Sequence, residues 1–237
     1  MCHFGYHGSM DNINVASNLT AVTDRIRVAE HQAHRTPQSV TLLAVSKTKP
    51  AALIEAASAA GQRCFGENYA QEAVEKAEAL KHLNLEWHFI GPIQSNKTRG
   101  LATHMDWIHT VEREKIARRL NDQRPDDMAP LNICLQVNIS GEASKAGILS
   151  TEVLTLADAI SALPKLRLRG LMAIPAPSEG IDAQRRPFKA LKDIWDELKG
   201  TYPELDTLSM GMSGDLEAAV LEGATIVRIG TDVFGAR

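Results

Sequence analysis

The 237 residues carry 26 Lys and Arg against 29 Asp and Glu, a formal charge of −3, and 44% of them are hydrophobic. That balance excludes a broad basic nucleic-acid footprint and an anionic-membrane partner, but leaves room for a small anion at a local positive site. Three scattered cysteines, Cys2, Cys64 and Cys134, make no CxxC or metal-ligand spacing and point to a reduced, cytoplasmic setting. No stretch approaches the roughly 20 apolar residues of a membrane span. The opening "MCHFGYHGSM" lacks the basic-then-apolar pattern of a secretory signal and reads, over residues 1–11, as a flexible tail.

Residues 12–237 read as one domain. Val15, Leu19, Val22, Ile26 and Ala29 recur at three- and four-residue intervals, the stripe of an amphipathic helix. The chain then alternates. "VTLLAVSK" reads as a strand, followed by a helix from Pro50 to just before Gly61. "RCFGEN", "EWHFIG", "DWIHTV", "LNICLQVNI", "LRLRGLMAI", "TLSMGM" and "TIVRIGT" are seven more strands, each followed by a helical pattern and the last by a stub. Strand–helix alternation implies parallel strands joined by helical crossovers, and eight units in about 200 residues favour a closed (β/α)8 TIM barrel with one extra N-terminal helix. No GxGxxG follows the first strand, which argues against a dinucleotide-binding sheet.

Active sites of such barrels lie at the C-terminal ends of the strands. That rule selects Ser46 and Lys47, Glu67 and Asn68, His88 and Gly91, His109 and Thr110, Asn138 and Ser140, and Pro175. It adds Met210 and Gly211, then Arg228, Gly230 and Thr231. In "MGMSGD", Ser213 is placed to cap the next helix, and the loops after strands 7 and 8 are a recurrent phosphate site in barrels. Closure puts strand 1 beside strand 8, so Lys47 is expected next to that pocket and near Arg228. Such a lysine is either a plain charge partner for phosphate or a Schiff-base lysine whose aldehyde ligand is anchored by a separate phosphate.

Six ordered segments carry a resemblance: "LLAVSKTKP", "FGENYAQE", "WHFIGPIQSNKTR", "VNISGEASKAGI", "LRGLMAIPAP" and "LSMGMSGDLEAAVLEGATIVRIGTDVFGAR". From about Leu42 to the C-terminus the chain closely resembles the pyridoxal phosphate homeostasis family, which itself resembles the N-terminal barrel of alanine racemase. The resemblance implies pyridoxal 5'-phosphate (PLP) held covalently by Lys47. It implies phosphate contacts from Ser213 and the Gly230–Thr231 turn, Arg228 facing the pyridine nitrogen, and Asn68, His88 and Met210 as pocket walls.

Function follows as an expectation: a PLP-binding protein of intracellular vitamin B6 homeostasis that holds or delivers the cofactor, with indirect effects on amino-acid and keto-acid pools. The alternative is a small PLP-dependent amino-acid racemase, and a third reading is a phosphate-binding barrel enzyme with Lys47 as a charge partner. An arginine at the pyridine nitrogen disfavours protonation there, leaving a poorer electron sink. Racemisation also needs a second base opposite the lysine, which alanine racemase draws from an additional domain across a dimer. The chain ends six residues after Thr231, so a non-catalytic monomeric carrier is expected, with PLP-dependent apo-enzymes as recipients. Tyr69, the tyrosine nearest the rim, is expected to pack under the first turn of its helix, and Tyr202 to lie on the far side. His31 and His34 read as a solvated helix face, and Lys97 and Lys145 as rim cations with secondary roles at most.

Overall fold

A computed structural model describes residues 14–141 and 145–236, so the expected tail over residues 1–11 lies outside the described residues. Eight parallel strands close into a barrel in sequential order. They are β1 (Thr41–Val45), β2 (Cys64–Glu67), β3 (Glu86–Phe89), β4 (Trp107–Val111), β5 (Leu131–Gln136), β6 (Leu166–Met172), β7 (Thr207–Ser209) and β8 (Ile226–Ile229). The crossover helices are α2 (Ala51–Ala59), α3 (Ala70–Ala79), α4 (Thr98–His104), α5 (Glu114–Gln123), α6 (Val153–Ser161), α7 (Ile181–Thr201) and α8 (Leu216–Leu221). The stub after β8 is α9 (Thr231–Phe234), and the extra helix in front is α1 (Val15–Gln32). The expected (β/α)8 barrel with an added N-terminal helix is therefore observed.

Local chemistry explains the boundaries. Asn14 caps α1 by accepting the Ser17 N–H at 3.0 Å. The α1 stripe buries Val15, Leu19, Val22, Ile26 and Ala29, packing the helix on α8 and α9. Pro50 stands at the N-cap of α2 with extended ψ of 154°, one position earlier than its sequence pattern suggests, and Gly61 ends the unit at φ +99°. On α1 Glu30 is buried, and its carboxylate takes the N–H groups of Gln38 and Val40, which pins the entry to β1.

Strand alternation divides the core in two. Leu42, Ala44, Phe65, Phe89, Ile108, Val227 and their like face the helices in one continuous cluster. Inside the barrel, Leu43, Val45, Ile90 and Ile226 form one apolar group and Trp107, Cys134 and Met172 another. The rest of the interior is polar: His88, His109, Ser209 and Arg228 are all buried there. Burial of the Cys134 thiol pushes its pKa to about 12, so it serves as an apolar filler. No helix among the described residues is long and apolar enough to cross a membrane.

Leu43 is fully buried at the closing seam. Leu43→Ala is expected to cost about 2–5 kcal/mol in a urea or guanidinium titration, the range for truncating a buried leucine. A loss under about 0.5 kcal/mol, the level of a surface substitution, would mean that the inner layer is not packed as described.

Candidate functional site

The seam between β1 and β8 builds the site. Thr41, Leu42, Leu43 and Ala44 pair with Ile226, Val227, Arg228 and Ile229. A side chain added at Gly230 would meet the Val45 carbonyl at 3.3 Å, so the turn after β8 lies directly against the end of β1. Lys47 follows two residues beyond that end, half-buried. Closure thus brings the end of β1 against the turn after β8.

The Lys47 turn is held by a network that the sequence did not advertise. Lys76 of α3, itself buried, donates to the Ser46 carbonyl (2.7 Å), Glu67 Oε1 (2.8 Å) and Glu72 Oε1 (2.7 Å). Ser46 Oγ donates to the same Glu67 oxygen at 2.5 Å. Glu72 also accepts the N–H of Thr48, whose φ of +62° is strained for a β-branched residue. Burial pushes the Glu67 carboxyl above its ordinary range even though Lys76 and Ser46 bond it. The lysine of interest therefore sits between a fully engaged serine and a strained threonine, both fixed from α3. Next to Glu67, Asn68 has its Oδ1 buried with no hydrogen-bond partner among the described residues. An orphaned acceptor costs about 1–3 kcal/mol unless something satisfies it.

Arg228 is buried beneath the mouth. Its Nη1 donates to Ser209 Oγ at 2.8 Å and its Nη2 to the Ala173 carbonyl at 3.0 Å. Burial pushes its pKa down to about 10, opposed by Asp215, so it is charged at neutral pH. Ser213 does not cap α8 as expected. Asp215 holds that position without a side-chain bond to the helix, and its carboxylate instead accepts the Met212 N–H of the preceding loop at 2.6 Å. Ser213 stays in the preceding turn. Gly211 enters that loop at φ +97°, and a Cβ there would lie 2.5 Å from the Ala219 methyl.

Sequence reasoning also missed Arg25. From α1 it donates to Glu217 at 2.9 Å, to Asp232 at 2.7 Å and to the Ser213 carbonyl at 3.0 Å. One guanidinium thus ties the loop after β7 to the turn after β8. The signal was hidden because Arg25 is separated from these partners by 188–207 residues. A cavity of about 310 Å³, lined by Pro175, Gln184, Met212 and Gly214, opens beside the same loop.

The other residues singled out in the sequence are placed as follows. His88 is buried inside the barrel with its ring nitrogens toward His109 and Glu86. Met210 is fully buried in the hydrophobic core. Tyr69 does not pack under α3: it occupies the N-cap position and is 52% exposed, because the buried face of that helix begins at Ala73. Tyr202 donates to Asp158 on the outer face of the barrel. Lys97 and Lys145 are exposed.

The profile of the alanine racemase N-terminal domain family matches residues 17–237. A pyridoxal phosphate homeostasis protein of Pseudomonas aeruginosa is 58% identical over 223 residues, covering 94% of this chain and 96% of its own. One from Escherichia coli K12 is 54% identical over 227 residues, covering 94% and 97%. The chain belongs to the pyridoxal phosphate homeostasis protein family. PipY of Synechococcus elongatus PCC7942, solved with PLP bound, superposes with a TM-score of 0.80 at 37% identity, covering 93% of this chain and 100% of that one. Alanine racemase of Corynebacterium glutamicum shares the fold alone, with a TM-score of 0.67 at 15% identity over 92% of this chain and 62% of that one. Within this homeostasis family the loops after β7 and β8 are the part that Arg25 braces here.

Arg25→Ala is expected to weaken PLP affinity about tenfold, the scale of one hydrogen bond to a charged group. Fluorescence titration measures this, with circular dichroism as the folding check. Unchanged affinity in a folded variant would show that the two loops keep their spacing without the clamp.

Proposed function

We propose that this protein holds PLP through a covalent link to Lys47 and hands it on to PLP-dependent apo-enzymes in the cytoplasm, acting as a monomer in vitamin B6 homeostasis. The observation that carries this reading is the β1–β8 seam. It sets a lysine, a buried cation and a braced pair of loops on one face. PLP supplies an aldehyde that a neutral primary amine takes up with loss of water, and a phosphate that can be anchored separately.

The residues fit that ligand. Lys47 offers the amine on a turn fixed by Lys76 and Glu72. Ser213, Gly230 and Thr231 offer the phosphate its donors. The unpartnered Asn68 Oδ1 is an acceptor for a ligand donor. Arg228 has donors only, so its remaining N–H groups suit an unprotonated ring nitrogen and disfavour a protonated one.

That last point favours holding over turnover. An unprotonated ring is a weak electron sink, so a racemase built on it needs two well-placed bases. Tyr69 is exposed at the rim and Tyr202 is committed to Asp158 on the outer face. The names carried by relatives 54–58% identical point the same way.

Purified protein incubated with PLP is expected to be yellow, with an imine absorbance that Lys47→Ala abolishes. A colourless wild type, or a variant that keeps the band, would sink the covalent reading. Incubation with L-amino acids in deuterated water is expected to give α-carbon exchange no faster than free PLP gives. Enzyme-like exchange would replace the carrier with a racemase.

A further inference from the structure

Arg228 is the upper end of a longer chain. Ser209 Oγ, which accepts from Arg228 at 2.8 Å, lies 2.7 Å from His109 Nδ1. His109 Nε2 lies 2.9 Å from His88 Nδ1, and His88 Nε2 lies 2.7 Å from Glu86 Oε1. Glu86 is the first residue of β3, and its side chain is 46% exposed in the opposite mouth of the barrel. A cavity of about 240 Å³ opens there between Glu86, Trp107, Arg169 and Asp206. Four hydrogen bonds on four different strands therefore run from the Lys47 face to the far solvent.

The direction of the chain is fixed at both ends. Arginine can only donate and an ionised carboxylate can only accept. The hydrogen bond from His88 holds the Glu86 carboxyl below its ordinary range. Complete burial, with the Arg228 charge nearby, holds His109 far below the usual histidine range, so it is neutral. With one proton on His88, a single arrangement satisfies every link. Arg228 donates to Ser209, Ser209 to His109 Nδ1, His109 Nε2–H to His88 Nδ1, and His88 Nε2–H to Glu86. Around the lower end stand Cys64 of β2, 3.5 Å from Glu86, Asp106 ahead of β4, and Arg169 of β6. The Trp107 ring stacks on His88 at 5.3 Å and keeps the imidazole in line.

We propose that Glu86, His88, His109 and Ser209 form a positioning column for Arg228, through which the far mouth of the barrel sets the hydrogen bonding of the group that faces the cofactor ring. The proposal rests on the reading that Arg228 faces the ring nitrogen of PLP. Removing the Glu86 acceptor lets His88 move its proton from Nε2 to Nδ1. His109 must then do the same, and the Ser209 hydroxyl turns from donor to a double acceptor. No proton is gained or lost, but Arg228 now shares its Ser209 partner with a second donor.

Nitrogen-15 NMR of the histidines, together with PLP labelled at the ring nitrogen, tests this. In the wild type both His88 and His109 are expected as Nε2–H tautomers. Glu86→Leu is expected to convert both to Nδ1–H and to shift the ring-nitrogen signal. PLP affinity should stay within about twofold, as for an exposed substitution. Glu86→Gln, which keeps an acceptor oxygen, should retain the wild-type tautomers. In a Ser209→Ala background, Glu86→Leu should no longer move the ring signal. An Nδ1–H His109 in the wild type, or tautomers and ring signal unmoved by Glu86→Leu, would overturn the column. So would an equal ring shift with Ser209 absent. A wild type that takes up no PLP would instead refute the proposed function, and the histidine tautomers of the PLP-free protein would still decide the column.

Discussion

Closure of β1 onto β8 is the constraint on which the rest depends. The register sets Leu43 opposite Arg228 on the inner side of the sheet, with Leu42 and Val227 turned to the helices. A slip of one residue would exchange the two faces, carrying Arg228 out among α1 and α8 and an isoleucine into its place. The same register brings Gly230 against Val45 and so sets how far the turn after β8 stands from the Lys47 turn. Inner packing, the buried cation and the candidate site are thus consequences of one pairing.

Two buried polar systems flank the seam, and they differ in kind. The Lys76–Glu67–Ser46–Glu72 group lies on the outer side of the sheet and immobilises the turn that carries Lys47. The Arg228–Ser209–His109–His88 group lies inside the barrel and ends in solvent at Glu86. Leaving a buried polar group unpaired costs about 1–3 kcal/mol, so each system is stable only as a set. Arg25 does comparable work from α1 in shallower surroundings, which gives the added helix a purpose beyond packing on α8 and α9.

Much of this was legible in the sequence. Period-2 apolar runs alternating with period-3.6 stripes announced eight strand–helix units, and closure alone then brought the end of β1 against the turn after β8. What the sequence hid were partners remote along the chain or chosen by competition. Lys76 reads as one more lysine on an amphipathic helix, yet its ammonium is drawn inward by three acceptors. Ser213 has the residue type of a cap but stays in the loop, and the N-cap of α8 falls two residues later at Asp215, whose carboxylate ties back to the Met212 N–H. His88 and His109 lie at strand ends in sequence. Side-chain direction turns their rings inward, into a chain whose lower end is at the other mouth.

The central claim is that Lys47 is the residue that carries PLP. Reduction of the PLP-loaded protein with borohydride, followed by proteolysis and mass spectrometry, fixes the linkage as a stable secondary amine on whichever lysine holds the cofactor. The account predicts a single modified peptide containing "AVSKTKP" with the phosphopyridoxyl group on Lys47. Modification at Lys49, Lys76 or Lys145 with Lys47 untouched would contradict it.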